Sequence, residues 1–293
     1  MEQHEFLNEG TPSNTEPVKR HPAEESEYVN IPSLGLFYYG HYKGKEKILV
    51  RKLNWEDEDI LTTKSYYDNG TLFNELLKNC IVDPDGFPSS ILTNADKDVI
   101  LWWLRITLFG PIYTIKRTCT NEGCGHKHDV SWDLASFEMP EYSNEILNAI
   151  DDGGMWITLP VSGLQVKIAP SSIGREAEIA KNLKNKKLKT QASKDFLVTG
   201  KLLSVIKEAK DDKGSSYKTS EELYMWLRGG WEGNPISLVD SRYIRKRVEE
   251  LELKPNTKKD ITCPSCGHTE EGVEMPISIY FFWPDFATGN ERV

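Results

Sequence analysis

The sequence has no excess of positive charge. Its 45 Asp and Glu outnumber 36 Lys and Arg, for a formal net charge of −9 over 293 residues. That balance argues against a general binder of nucleic acid or anionic membrane, both of which attract basic surfaces. A long apolar run is also missing. The richest stretch, ILWWLRITLFGPIYTI at 100–115, is broken by Arg105 and Gly110–Pro111 and is too short to span a bilayer. No N-terminal stretch joins a basic region to an apolar one, so a secretory signal is not expected. Catalytic signatures are lacking as well: there is no HExxH, no GxSxG, no GxxxxGK[ST] and no GxGxxG after a strand. Paired carboxylates at Asp151–Asp152 and Asp211–Asp212 fall in loops and read as solvated charge. Cysteine is scarce, with five in all. Four of them form a CxxxxC and a CxxC pair, which suits a metal in a reducing cytoplasm better than a disulfide framework.

Length and a hydrophobic content of 38% allow one large domain or two ordinary ones. Residues 1–27 are rich in Glu, Pro, Ser and Thr and read as a disordered acidic N-terminal arm. Alternation over 31–53 (IPSLGLFYYGHYKGKEKILVRKL) predicts two strands joined by the turn HYKGKEK. Asn54 is the expected N-cap of a helix opening on Glu56–Asp57–Glu58–Asp59. Helical spacing of Leu72, Phe73, Leu76, Leu77, Cys80 and Ile81 predicts a second helix, with Cys80 on its core face. Thr93 or Asn94 starts a third, which Gly110–Pro111 stops. The strands YTIKRT and HDVSWDL flank the first cysteine pair.

After a linker at 144–154 the pattern restarts. WITLPVSGLQVKIAP predicts a hairpin, SSIGREAEIAKNL, DFLVTGKLLSVIKEA, TSEELYMWLRGG and SLVDSRYIRKRVEEL predict helices, and KKDITCPSCGHTEEGVEMPI predicts strand, knuckle, strand. Pro32 precedes Gly35 by three residues, as Pro160 precedes Gly163. Asp96 and Cys119 are 23 apart, as are Asp240 and Cys263. These matched offsets predict an α+β fold of two degenerate copies of a hairpin–helices–knuckle module, at 28–143 and 155–293. The polar stretch KDDKGSSYKTS at 210–220 lengthens the second copy.

CxxC followed by Gly lets two thiolates face one ion, while the Gly tolerates positive φ. Cys263, Cys266 and Gly267 fit that form; Cys119, Cys124 and Gly125 fit it with two extra residues. Three readings follow. The knuckles share one four-cysteine zinc site, or form two half-sites with His126, His128 or His268, or hold only reduced thiols. Ligand number and softness favour the shared, zinc-ribbon-like site. Four thiolates close the coordination sphere, so such an ion is structural, and no enzyme is expected. Among the aromatics, YFFWPDF near the C-terminus admits two readings. Phe281, Phe282 and Trp283 either pack across the second copy's sheet or dock on a partner. The basic run KNLKNKKLK at 181–189 reads as a solvated helix face.

Taken together, IPSLGLFY, VRKLNWEDED, the DxxxI helices, CxxxxCGH and CPSCGH…FFWPDF resemble the baseplate hub assembly proteins of T-even-type contractile-tailed phages. The likeness covers nearly the whole chain after the arm, though the first knuckle departs from CxxC by two residues. It implies a non-enzymatic part or assembly factor of the central baseplate hub, with other tail proteins as partners and no nucleic acid, membrane or small-molecule substrate. Assembly would take place in the host cytoplasm, and the protein could be retained in the virion. Cys119, Cys124, Cys263 and Cys266 carry over as zinc ligands. The competing expectation is a zinc-ribbon regulatory or nucleic-acid-binding factor, which would need a basic face. KHDVSWDLASFE and TEEGVEMP beside the knuckles are instead neutral to acidic.

Overall fold

A computed structural model describes residues 26–190, 196–277 and 281–282. The arm expected at 1–27 lies outside these except for Ser26 and Glu27, which open the first strand. That strand, β1 (Ser26–Asn30), pairs antiparallel with β2 (Lys47–Arg51), Ser26 facing Arg51. The strand expected from Ile31 onward is displaced, because Pro32 and Gly35 break extended backbone there. Gly35 has φ +64°, and a Cβ on it would lie 2.3 Å from the Lys45 nitrogen. Residues 31–46 form a wide loop instead.

Helix α1 (Trp55–Thr62) begins with a capping box between Asn54 and Asp57. Asp57, fully buried, also takes a two-pronged ion pair from Arg51 at 2.7 and 2.8 Å. A short α2 (Lys64–Asp68) leads to α3 (Leu72–Cys80), whose Leu72, Leu76, Leu77 and Cys80 are buried as its spacing predicts. The Thr93 hydroxyl caps α4 (Asn94–Phe109), and Gly110 ends it at φ +77°. The antiparallel pair β3 (Ile112–Thr118) and β4 (Lys127–Asp133) follows.

The expected link at 144–154 holds α5 (Asn144–Ala149), β5 (Ile150–Asp151) and the first residue of β6 (Gly154–Thr158). With β7 (Gln165–Ile168), β8 (Ile206–Lys210) and β9 (Ser216–Tyr217), these make a five-stranded antiparallel meander. Helices α6 (Ile173–Thr190) and α7 (Leu197–Val205) lie between β7 and β8. The helix expected through Ala209 stops at Val205, because Ile206 and Ala209 are fully buried where β8 pairs with β7. Helix α8 (Ser220–Gly229) has a Thr219–Glu222 capping box, and α9 (Leu238–Glu249) is capped by Ser237. The strands β10 (Lys259–Thr262) and β11 (Thr269–Val273) pair last.

Two hydrophobic clusters result, and the chain crosses between them. Tyr142, Ile146 and Ile150, just after β4, join the cluster of the second half, where the Tyr142 hydroxyl donates to the Leu251 carbonyl at 2.8 Å. Met275, Ile277, Phe281 and Phe282, just after β11, join the cluster of the first half. Each half therefore completes its core with residues from beyond the other's boundary. The mixed helix and sheet content makes the fold α+β.

Candidate metal centre

The first knuckle sits at the tip of the β3–β4 hairpin, where the Cys119 N–H donates to the His126 carbonyl at 2.8 Å. The second sits at the tip of β10–β11, where the Cys263 N–H donates to the His268 carbonyl, also at 2.8 Å. The same closing bond thus frames both turns. The two extra residues of the first are absorbed at Gly123, whose φ of +84° gives an additional bend. Gly125 and Gly267 adopt positive φ directly after the second cysteine of each pair.

All four sulfurs lie within 4.8 Å of one another. Cys119 Sγ stands 3.8 Å from Cys266 Sγ, and Cys124 Sγ 3.9 Å from Cys263 Sγ, both pairs crossing between knuckles. Metal–sulfur bonds of ~2.3 Å in a tetrahedron require sulfur separations of about 3.8 Å. The donor set therefore fits a tetrahedral, thiophilic ion, and zinc is the commonest such guest. Cys119 and Cys263 are buried, Cys124 is half-buried and Cys266 is exposed. The site is closed on its inner side and open at its tip.

Local dipoles already favour thiolate at the exposed corner. The His268 N–H and the Asn121 amide, whose nitrogen is 3.6 Å from the sulfur, bring Cys266 down to about 6. At Cys119 the Asn121 N–H pulls downward, yet burial and the neighbouring thiols push it up to about 12. A dicationic guest would resolve this conflict by stabilising four thiolates together.

Contacts without any local sequence signature brace the two hairpins. Arg117 on β3 and Glu270 on β11 pair at 2.6 Å. Trp132 on β4 donates from Nε1 to the Thr257 carbonyl at 3.1 Å, and the Lys259 ammonium lies 4.5 Å from its ring centre. Arg117 and Glu270 are 153 residues apart, and neither carries a local signature.

Among the described residues no histidine belongs to the sulfur cluster. His126 and His128 stack on each other with centroids 6.0 Å apart, and both His128 ring nitrogens are buried without a hydrogen-bond partner. Two of the three C-terminal aromatics are buried inside this chain. Phe281 is 0% and Phe282 3% exposed, packed edge-on against each other; Phe281 also meets Tyr113 edge-on, and Phe282 leans on Phe73. They fill the first cluster, not the second sheet, because β10–β11 delivers the chain there. Trp283 lies outside the described residues. Lys181 and Lys184 of the basic run are exposed on α6. No described helix is long and apolar enough to cross a membrane.

Compared with known proteins, residues 40–283 match the model of a family described as T4 bacteriophage base plate protein. No match is found among curated proteins or solved structures.

Proposed function

The chain belongs to the T4 bacteriophage base plate protein family, and on that premise we propose that it is a non-enzymatic component or assembly factor of the baseplate hub, locked by one structural zinc. Cys119, Cys124, Cys263 and Cys266 would hold the ion. The observation that carries this reading is the convergence of four sulfurs from opposite halves of the matched region. A closed four-thiolate site supplies structure and leaves no position for water or substrate. The chain's own part is to present both turns at the right separation, through the bonds to the His126 and His268 carbonyls and the Arg117–Glu270 pair.

The two halves descend, in this reading, from one duplicated module. Asp96 and Asp240, both fully buried, each take the N–H of the residue after the hairpin proline: Ser33 to Asp96 at 2.9 Å, Val161 to Asp240 at 2.9 Å. Each also has its own N–H bound by an N-cap hydroxyl three residues earlier, Thr93 or Ser237. Val50 bridges to Ile81 across the helices of the first half, as Ile168 faces Ile206 across those of the second. The boundaries 28–143 and 155–293 remain the natural division into modules, with the core-crossing segments exchanged between them.

The acidic chain and closed site suit a scaffold whose partners are other tail proteins, assembled in the host cytoplasm; nucleic acid, membrane and small substrates play no part. The test is an infection with phage from which the gene has been removed, with heads, baseplates and tails counted by electron microscopy. Heads without completed baseplates are expected, and normal tails would reject the role. Mass spectrometry of mature particles then separates a retained component from a transient assembly factor.

A further inference from the structure

Between α6 and α7 lies a cavity of about 580 Å³ that neither the baseplate role nor the metal uses. Its size falls in the range of sites that take a ligand or a few anchoring side chains. Ile179, Leu183 and Phe196 form an apolar wall. Polar groups stand at its floor and its rim. Ser171, 2% exposed, lines the cavity with a buried hydroxyl that has no hydrogen-bond partner. Lys184 and Lys201, both exposed residues, line its rim, and neither ammonium has an ion-pair partner among the described residues. The cavity's carboxylates are already engaged, Glu176 by Asn94 at 2.8 Å and Glu252 by Lys254 at 3.1 Å. An apolar group flanked by carboxylates is the chemistry that fits.

The sequence supplies such a segment in Glu2–Glu5–Phe6–Leu7–Glu9, three carboxylates around one apolar pair. From Leu7 to Ser26 the chain can reach roughly 65 Å when extended. A compact fold of this length has a radius of gyration of about 19 Å, so a tether of that reach spans most of the surface. The other terminal segment, Trp283–Val293, offers Asp285 and Glu291 against Arg292 and suits two ammoniums less well. We infer that the N-terminal segment of the same chain docks Phe6 and Leu7 into the α6–α7 cavity, with its carboxylates on Lys184 and Lys201. The baseplate reading is not needed for this. Docking in cis would cover an apolar surface that includes Leu197, 79% exposed.

The experiment is amide hydrogen exchange of Leu197–Val205 in the full chain, comparing wild type with Phe6→Asp/Leu7→Asp. A tethered segment at millimolar effective concentration predicts exchange roughly tenfold faster in the variant. A synthetic peptide of residues 1–11 should restore protection to that variant, and Lys184→Glu/Lys201→Glu should abolish the restoration. A melting curve recorded alongside checks that the variant is still folded, and a small drop in midpoint is expected because a docked arm stabilises the native state. Equal exchange in wild type and arm variant overturns the inference. So does protection lost on dilution, which would assign the arm to a second copy. Rescue by a peptide of residues 283–293 in place of residues 1–11 overturns it equally.

Discussion

Cys119 and Cys266 bring their sulfurs to 3.8 Å although 147 residues separate them in the chain. An ion shared at that point clips a very long loop, so its removal releases far more freedom than loss of one surface contact. The purified protein is expected to carry one zinc, measurable by elemental analysis. Cys263→Ser should lose it and lower the melting temperature, as should a strong chelator. Two zinc ions per chain, or full zinc retention in a Cys119→Ser/Cys263→Ser double variant, would reject the shared site.

Asp96 accepts from the Ser33 N–H, the Tyr38 hydroxyl and the Thr93 hydroxyl, all buried. Asp96→Ala leaves three buried donors without an acceptor and is expected to cost ~3 kcal/mol or more in denaturant melts. Asp240→Ala strands the Val161 and Ser162 N–H groups and should cost less. A variant at Asp96 that melts like wild type would contradict the network's role.

Phe281→Ala is expected to destabilise by about 3–5 kcal/mol, since a fully buried ring leaves a cavity between Tyr113 and Phe282. Pull-downs from infected cells should lose tail partners only in parallel with that melt. Lost binding with an intact melt would return Phe281 to the role of a docking residue.

The Arg117 guanidinium holds the Glu270 carboxyl below its ordinary value. A depressed carboxyl contributes stability above its unfolded value, about 4.3, and loses it as pH falls through the folded one. Wild type should therefore be more stable than Glu270→Gln at pH 7, with the gap closing below about pH 4. A gap independent of pH between 3 and 7 would show that the pair does not join the two hairpins electrostatically.

The cysteine turns are the most legible part of the sequence, because a cysteine pair and a following glycine encode a turn locally. Helices α3 and α4 were legible for a similar reason: their caps and apolar spacing are local. The buried carboxylates were visible only as offsets. Nothing in the chain near Asp96 announces that it receives the Ser33 N–H from 63 residues away. Strand β8 was read as helix because IKEAK continues a helical pattern, and only pairing with β7 favours extended backbone there. The destination of Phe281 and Phe282 was hidden for the same reason: aromatic content signals burial, but not which cluster receives it.

The exchange of core segments bears on how the protein is made. The first cluster lacks Phe281 and Phe282 until the chain beyond β11 is synthesised. At roughly 5–20 residues per second, the ribosome takes about 7 to 28 s to add the 139 residues from position 144 to Phe282. During that interval Tyr113 and Phe73 lack the rings of Phe281 and Phe282 that pack on them, and the Cys119–Cys124 turn waits with half of the sulfur cluster. Two rings of the first core and half of the sulfur cluster thus arrive only late in that interval, and a chain cut between β11 and Phe281 would keep the four cysteines yet leave the first core short of both rings.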